Sequence, residues 1–153
     1  MTHYIDSSVL VAVYVPERFS RAAHRALRAV PQVPFTQLHE LEVSNAFELL
    51  MGRGLIRKEE HRAVQAQLQE DIEGQRLARI SLDLERVFRD AGEFSREHSA
   101  KFLTRTLDLL HVAAAHVAMC TMFVSADDRQ LAVAKATGLK IVDIKRRARG
   151  PKS

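Results

Sequence analysis

The order of apolar and polar positions along the chain predicts alternating strands and helices. His3-Tyr4-Ile5 reads as a short strand that runs into Asp6-Ser7-Ser8, a helix N-cap pattern. Val9 to Val15 follows as a short apolar helix, stopped near Pro16, and Arg18 to Ala29 as a second helix. Gln32 to Thr36 is a second strand, kept short by Pro31 and Pro34. From His39 the period becomes helical: Val43, Ala46, Phe47 and Leu50 fall on one buried face, and Gly52 and Gly54 end the helix. Lys58 to Gly74 predicts a polar helix with a thin apolar stripe, Leu77 to Ser81 a third strand, and Leu84 to Glu97 a further helix. Thr106 to Met119 is apolar on nearly every side, as an interior helix is. Thr121 to Ser125 is a fourth strand, Asp128 to Thr137 a helix closed by Gly138, and Lys140 to Ile144 a fifth strand.

Such short strands, too far apart for hairpins, predict an α/β fold with a mainly parallel sheet of about five strands and helices on both faces. No repeat, low-complexity tract or linker divides the chain. Residues 1–145 are expected to form a single domain and 146–153 a basic C-terminal tail. The 153-residue length suits one core.

Composition adds little to this picture. The hydrophobic fraction of 46% and charged fraction of 27% are those of an ordinary globular domain. Neither an apolar run near ~18 residues nor a signal-peptide pattern is present, so no membrane association is expected. The single cysteine, Cys120, lies among apolar residues and reads as core; a reducing cytoplasm is the expected compartment. Net charge is +4, from 23 Lys and Arg against 19 Asp and Glu, a mild lean toward a polyanionic partner. Lys145, Arg146, Arg147, Arg149 and Lys152 crowd the C-terminus, as a solvated tail or as contacts to nucleic-acid phosphates.

The placement of the acids carries the chemistry. A parallel sheet sends the C-terminal ends of its strands to one edge, where ligands bind. Asp6 directly follows the first strand, and Asp127 follows the fourth within Ser125-Ala126-Asp127-Asp128. Glu42 and Asp108 lie early in the helices after the second strand and before the fourth. Singly, each has a structural explanation as a cap, a dipole partner or a solvated residue. Asp108 fits that explanation worst, because an ionised carboxylate entering an apolar helix needs a partner or a metal. Together the four would repel one another, and a hard divalent cation resolves the conflict through all-oxygen ligation. Such a site suits hydrolysis of a phosphodiester. Ser7 or Ser8 could hold Asp6 or a water, Ser125 could orient Asp127, and Asp128 is either an auxiliary ligand or a helix cap. Lys101, Arg105 and Arg129 flank the set, as solvated residues or as contacts to nucleic-acid phosphates.

At these residues the chain resembles the PIN-domain family, and in particular its VapC-type toxin ribonucleases. Tyr4-Ile5-Asp6-Ser7-Ser8 is similar to the family's first motif. Glu42-Val43-Ser44-Asn45-Ala46 is similar to its acidic motif, and Asp108-Leu109-Leu110-His111 to its third. Phe123 to Leu131, followed by Gly138 to Ile141, is similar to the closing motif. The resemblance implies a three-layer α/β/α domain and metal-binding, catalytic roles for Asp6, Glu42, Asp108 and Asp127. It further implies Mg²⁺ or Mn²⁺, endonucleolytic cleavage of RNA, a homodimer, and a cognate antitoxin protein. Glu40 is the alternative to Glu42, which Asn45-Ala46 favours.

Other constellations are weaker. His111 and His116, five apart, fall on different helix faces and read as satisfied histidines rather than a zinc pair. His39 is a core residue or a substrate contact. Gly52-Arg53-Gly54 lacks phosphate-loop spacing, and no Gly-x-Ser-x-Gly elbow occurs. Two other classes fit the fold: a non-catalytic RNA- or protein-binding module, and a phospho-acceptor receiver-like domain built on Asp6, which would leave Glu42 and Asp108 without a role.

Overall fold

The structure, a computed structural model, describes residues 1–148, with side chains to residue 146. The basic tail residues Arg149 and Lys152, and the Arg147 side chain, lie outside the described residues. The first half of the described chain contains β1 (His3–Ile5), α1 (Ser7–Tyr14), α2 (Ser20–Arg28), β2 (Val33–Phe35), α3 (Gln37–Gly52) and α4 (Lys58–Glu73). It continues with β3 (Leu77–Arg79), α5 (Leu84–Phe94), a π turn (Ser95–Ser99) and α6 (Ala100–Phe102). Last come α7 (Thr106–Val117), β4 (Met122–Ser125), α8 (Asp128–Ala136), β5 (Lys140–Asp143) and α9 (Ile144–Ala148).

All the strand pairings are parallel, as expected. β1, β4 and β5 form one sheet in the order β1-β4-β5, and β2 pairs with β3 in a second. In β1 and β4, neighbouring residues point to opposite faces. Ile5 and Val124 enter one core, with α1, α2, α3 and α4. Tyr4 and Phe123 enter the other, with α5, α7 and α8. The sheet is therefore the middle of three layers, and its central residues are buried on both sides.

Local signals explain where the helices start and stop. Asp6, Thr36, Asp83 and Asp127 cap α1, α3, α5 and α8 by accepting backbone N–H groups with their side chains. In α4 the buried positions His61, Val64, Leu68 and Ile72 make the narrow stripe that its sequence predicts. Gly138, at φ +100°, follows α8 in a backbone conformation that a side chain would strain. One boundary differs from expectation. The helix expected over 84–97 changes to π geometry at Ser95 and ends after Phe102, where Leu103 takes a left-handed backbone (φ 54°). That turn directs the chain into Arg105 and α7. Among the described residues, no helix is long and apolar enough to cross a membrane.

The two sheets meet along β1 and β2, and a side chain fills the seam. His39 Nε2 donates to Ile5 O at 2.7 Å, and its Nδ1 accepts from Thr36 N at 3.0 Å. These backbone partners fix the tautomer as neutral with Nε2–H. The ring is fully buried, and burial, with the neighbouring His111, lowers its pKa from 6.5 to about 3. His39 is thus part of the fold and is sealed from any substrate.

Candidate metal centre

The C-terminal edge of the sheet is where the acids fall. Asp6 continues β1 and its N–H still donates to Val124 O at 2.9 Å. The end of β1 is thereby fastened to β4 just before Ser125. Both Asp6 oxygens are held: Oδ2 by Ser8 N (3.2 Å) and the Ser8 hydroxyl, and Oδ1 by Gln130 Nε2 at 3.1 Å. Of the two serines considered for holding Asp6, Ser8 bonds it. Ser7 does not; it turns toward Glu42.

Gln130 is the organiser that the sequence reading missed. It is fully buried. Its Oε1 accepts from Ser125 Oγ at 2.7 Å, and its Nε2 faces Asp6 and, at 3.5 Å, Asp108 O. Ser125 in turn accepts Asp127 N at 3.0 Å, so it steadies the Asp127 backbone rather than its carboxylate. Asp127 Oδ1 caps α8 through Arg129 N and Gln130 N, at 2.9 and 3.0 Å. A cue existed in the spacing. Gln130 stands three residues after the N-cap Asp127, where a capping-box side chain would reach back to the cap. Here it reaches across to β1 instead.

Asp108 opens the first turn of α7. Its carboxyl lies above the ordinary range, raised first by burial and then by the charges of Asp127 and Asp6; Arg105 opposes the shift. Three carboxylates thus share one field. Arg105, largely exposed, stands between two of them, with Nε 3.3 Å from Asp108 and a terminal nitrogen 3.9 Å from Asp127. Arg105 and Arg129 line a shallow cavity of about 420 Å³ together with Ala126, Asp127 and Asp128. Asp128 points to Lys145 Nζ, 2.7 Å away, which holds its carboxyl below the usual range. Lys145 also donates to Ala126 O at 2.6 Å, so this residue of the basic cluster is tied to the edge of the site. Lys101 lies against the Phe102 ring, 5.2 Å from its centroid.

Glu42 sits on a separate arm. Ser7 Oγ donates to its Oε1 at 3.4 Å, and His111 Nε2 makes a close contact with the same oxygen. His111 Nε2 also lies 3.2 Å from Ser7 Oγ, and its Nδ1 is 2.7 Å from Tyr4 OH. Burial raises the Tyr4 pKa well above its ordinary value, so the phenol stays protonated. Glu40, the alternative, faces the other way and pairs with Arg79 at 2.8 Å. His111, read from the sequence as a satisfied core or surface histidine, is buried, and its partner is one of the candidate acids. Its position one helical turn after Asp108 was the available signal.

The donor set is chemically suited to Mg²⁺ or Mn²⁺. Every acidic donor is a carboxylate oxygen, and burial, with the charges of Asp127 and Asp6 added, already raises one of them. As placed, however, no three His, Cys, Asp or Glu side chains among the described residues converge closely enough to hold a metal ion. The caps, Gln130 and Arg105 engage Asp6, Asp108 and Asp127 individually, and Ser7 and His111 engage Glu42.

A family model described as "PIN domain" matches residues 3–136. The chain belongs to the PIN-domain family, as its motifs suggested. Among solved structures it is similar to FitAcB from Neisseria gonorrhoeae (14% identity, 95% of this chain and 99% of that one, TM-score 0.67). It is also similar to VapBC2 from Rickettsia felis bound to a DNA fragment from its promoter (16% identity, 94% and 98%, TM-score 0.66). PAE2754 from Pyrobaculum aerophilum is a further match (15% identity, 97% and 93%, TM-score 0.53). At these identities the likeness is one of fold. No curated protein sequence matches the chain.

Proposed function

We propose that this PIN domain is a metal-dependent endoribonuclease and the toxin of a toxin–antitoxin pair. The observation that carries the reading is the shared field of Asp6, Asp108 and Asp127 at the C-terminal edge of a parallel sheet. Asp6, Asp108 and Asp127 would hold Mg²⁺ or Mn²⁺, with Glu42 approaching from the α3 side. When bound, the cation supplies a Lewis acid that activates water and neutralises charge on a phosphodiester. Gln130 and Ser8 fix the direction of the Asp6 carboxylate. The Asp127 cap and Ser125 fix the turn between β4 and α8. Arg105 and Arg129, which line the cavity, would meet the phosphates of RNA, and Lys101 is a further candidate contact. An antitoxin partner and a homodimer belong to the same proposal; the antitoxin draws support from the fold shared with VapBC2.

Purified protein incubated with RNA and Mg²⁺ or Mn²⁺ tests the reading. Cleavage should be lost in Asp6→Asn and Asp108→Asn while the circular dichroism spectrum is kept. Undiminished cleavage by those variants would end it. A second reading, a non-catalytic binding module, is favoured by the lack of three converging acidic side chains among the described residues. It predicts no cleavage with any divalent ion and no metal-dependent rise in melting temperature.

A further inference from the structure

Glu42 needs something to aim it. Glu42 lies on α3, away from the strand ends that fix Asp6 and Asp127, and its side chain is 29% exposed. A partly exposed glutamate has three rotatable bonds and would ordinarily sample several rotamers. Here both of its hydrogen-bonding neighbours, Ser7 and His111, address the same oxygen, Oε1. Among the described residues, none addresses Oε2. The carboxylate is therefore gripped on one side and left open on the other.

The grip has a direction. His111 is 1% exposed and has side-chain partners at both ring nitrogens. Facing a carboxylate, Nε2 must carry the proton, which leaves Nδ1 to accept from the Tyr4 hydroxyl. The line from Tyr4 through His111 to Glu42 thus runs outward from β1. A histidine placed only to fill the core needs no such line ending on a part-exposed acid.

We infer that His111, braced by Tyr4, is a positioning residue that holds Glu42 by Oε1 and presents Oε2 to the cation of the site. The inference rests on the metal-dependent reading for its consequence but not for its geometry. Partners behind metal-binding side chains typically change affinity by about 10–100-fold when removed.

Two substitutions separate positioning from packing. A glutamine can extend an amide N–H toward the place of Nε2, whereas a leucine fills space and donates nothing. Positioning predicts opposite rankings for the full-length variants. His111→Leu should melt at or above His111→Gln, because an apolar side chain suits the buried site better. Mn²⁺ affinity, measured by electron paramagnetic resonance titration, should instead fall about tenfold in His111→Leu and recover in His111→Gln. In the double variant with Glu42→Gln, His111→Leu should add no further loss. Mn²⁺ affinity that follows melting temperature, or effects of His111→Leu and Glu42→Gln that add in full, would overturn the inference. Crystal structures of the metal-free protein judge the geometry by itself. Glu42 should hold one rotamer in the wild type and in His111→Gln, and several in His111→Leu. An unmoved Glu42 in His111→Leu overturns the inference even if the protein binds no Mn²⁺. Released side chains in a protein that binds no Mn²⁺ uphold the grip on Glu42 and defeat the metal reading alone.

Discussion

His39 and His111 pack ring against ring, with centroids 5.2 Å apart, and Tyr4 touches both. Their surroundings are almost equally dry, yet their partners differ in kind. His39 bonds to backbone at both ring nitrogens and joins the sheets. His111 bonds to side chains and ends on an acid of the site. One region of the molecule is a seam; the other, on the proposed reading, holds a ligand of the metal site. Burial alone therefore says little about what a histidine does; the groups at its two nitrogens decide.

The contrast is open to experiment. The largest effect should come from the seam. His39→Leu strands Ile5 O and the Thr36 N–H in a buried position, at about 1–3 kcal/mol each. Urea denaturation should show a loss of about 2–6 kcal/mol. A loss below ~1 kcal/mol, no more than an ordinary hydrogen bond, would mean that the seam does not depend on this ring.

Acid should weaken the same seam in the wild type. The folded protein holds His39 neutral with a pKa near 3, whereas the unfolded chain takes up a proton near 6.5. The unfolded state therefore binds more protons between those values, and stability falls as pH drops through that window. The full contribution is present above about pH 6.5 and levels off near pH 3. The slope is up to about 1.4 kcal/mol per pH unit, and it should flatten in a folded His39 variant. His116, half-buried and likewise lowered by burial, adds a smaller slope of the same sign.

Gln130→Leu extends the contrast to the aspartate side of the site. It removes the partner of Asp6 Oδ1 and of Ser125 Oγ and should cost about 1–3 kcal/mol. It should also weaken Mn²⁺ binding, measured by calorimetry, while His39 variants that remain folded leave it near wild type. The smallest effect on stability is expected at Arg105. Arg105→Gln removes only exposed pairing, worth about 0–1 kcal/mol. Mn²⁺ should nevertheless bind more tightly, since a competing positive charge is gone. Weaker Mn²⁺ binding in Arg105→Gln would reverse the role given to that side chain.

Much of the fold was legible because it rests on local rules. The strands at His3–Ile5 and Lys140–Asp143 stand within a residue of the apolar runs that announced them. Caps at Asp6 and Asp127 follow from residue type and position. Thr106–Val117 is an interior helix because nearly every side of it is apolar. The π turn at Ser95–Ser99 had no such cue.

By itself the sequence determined the alternation of elements, the common edge for Asp6 and Asp127, and the family through its motifs. Periodicity and capping are properties of near neighbours and are visible in one dimension. Only the tertiary structure decided which acid faces which partner. It set Glu42 against His111, Glu40 against Arg79, and Asp128 against Lys145. It also bridged Asp6 and Ser125 through Gln130, 124 residues beyond Asp6 in the chain. Those pairings depend on helix rotation and on layer packing, where a turn of one residue sends a side chain to another face. For the same reason two buried histidines, packed ring against ring, came to hold different things.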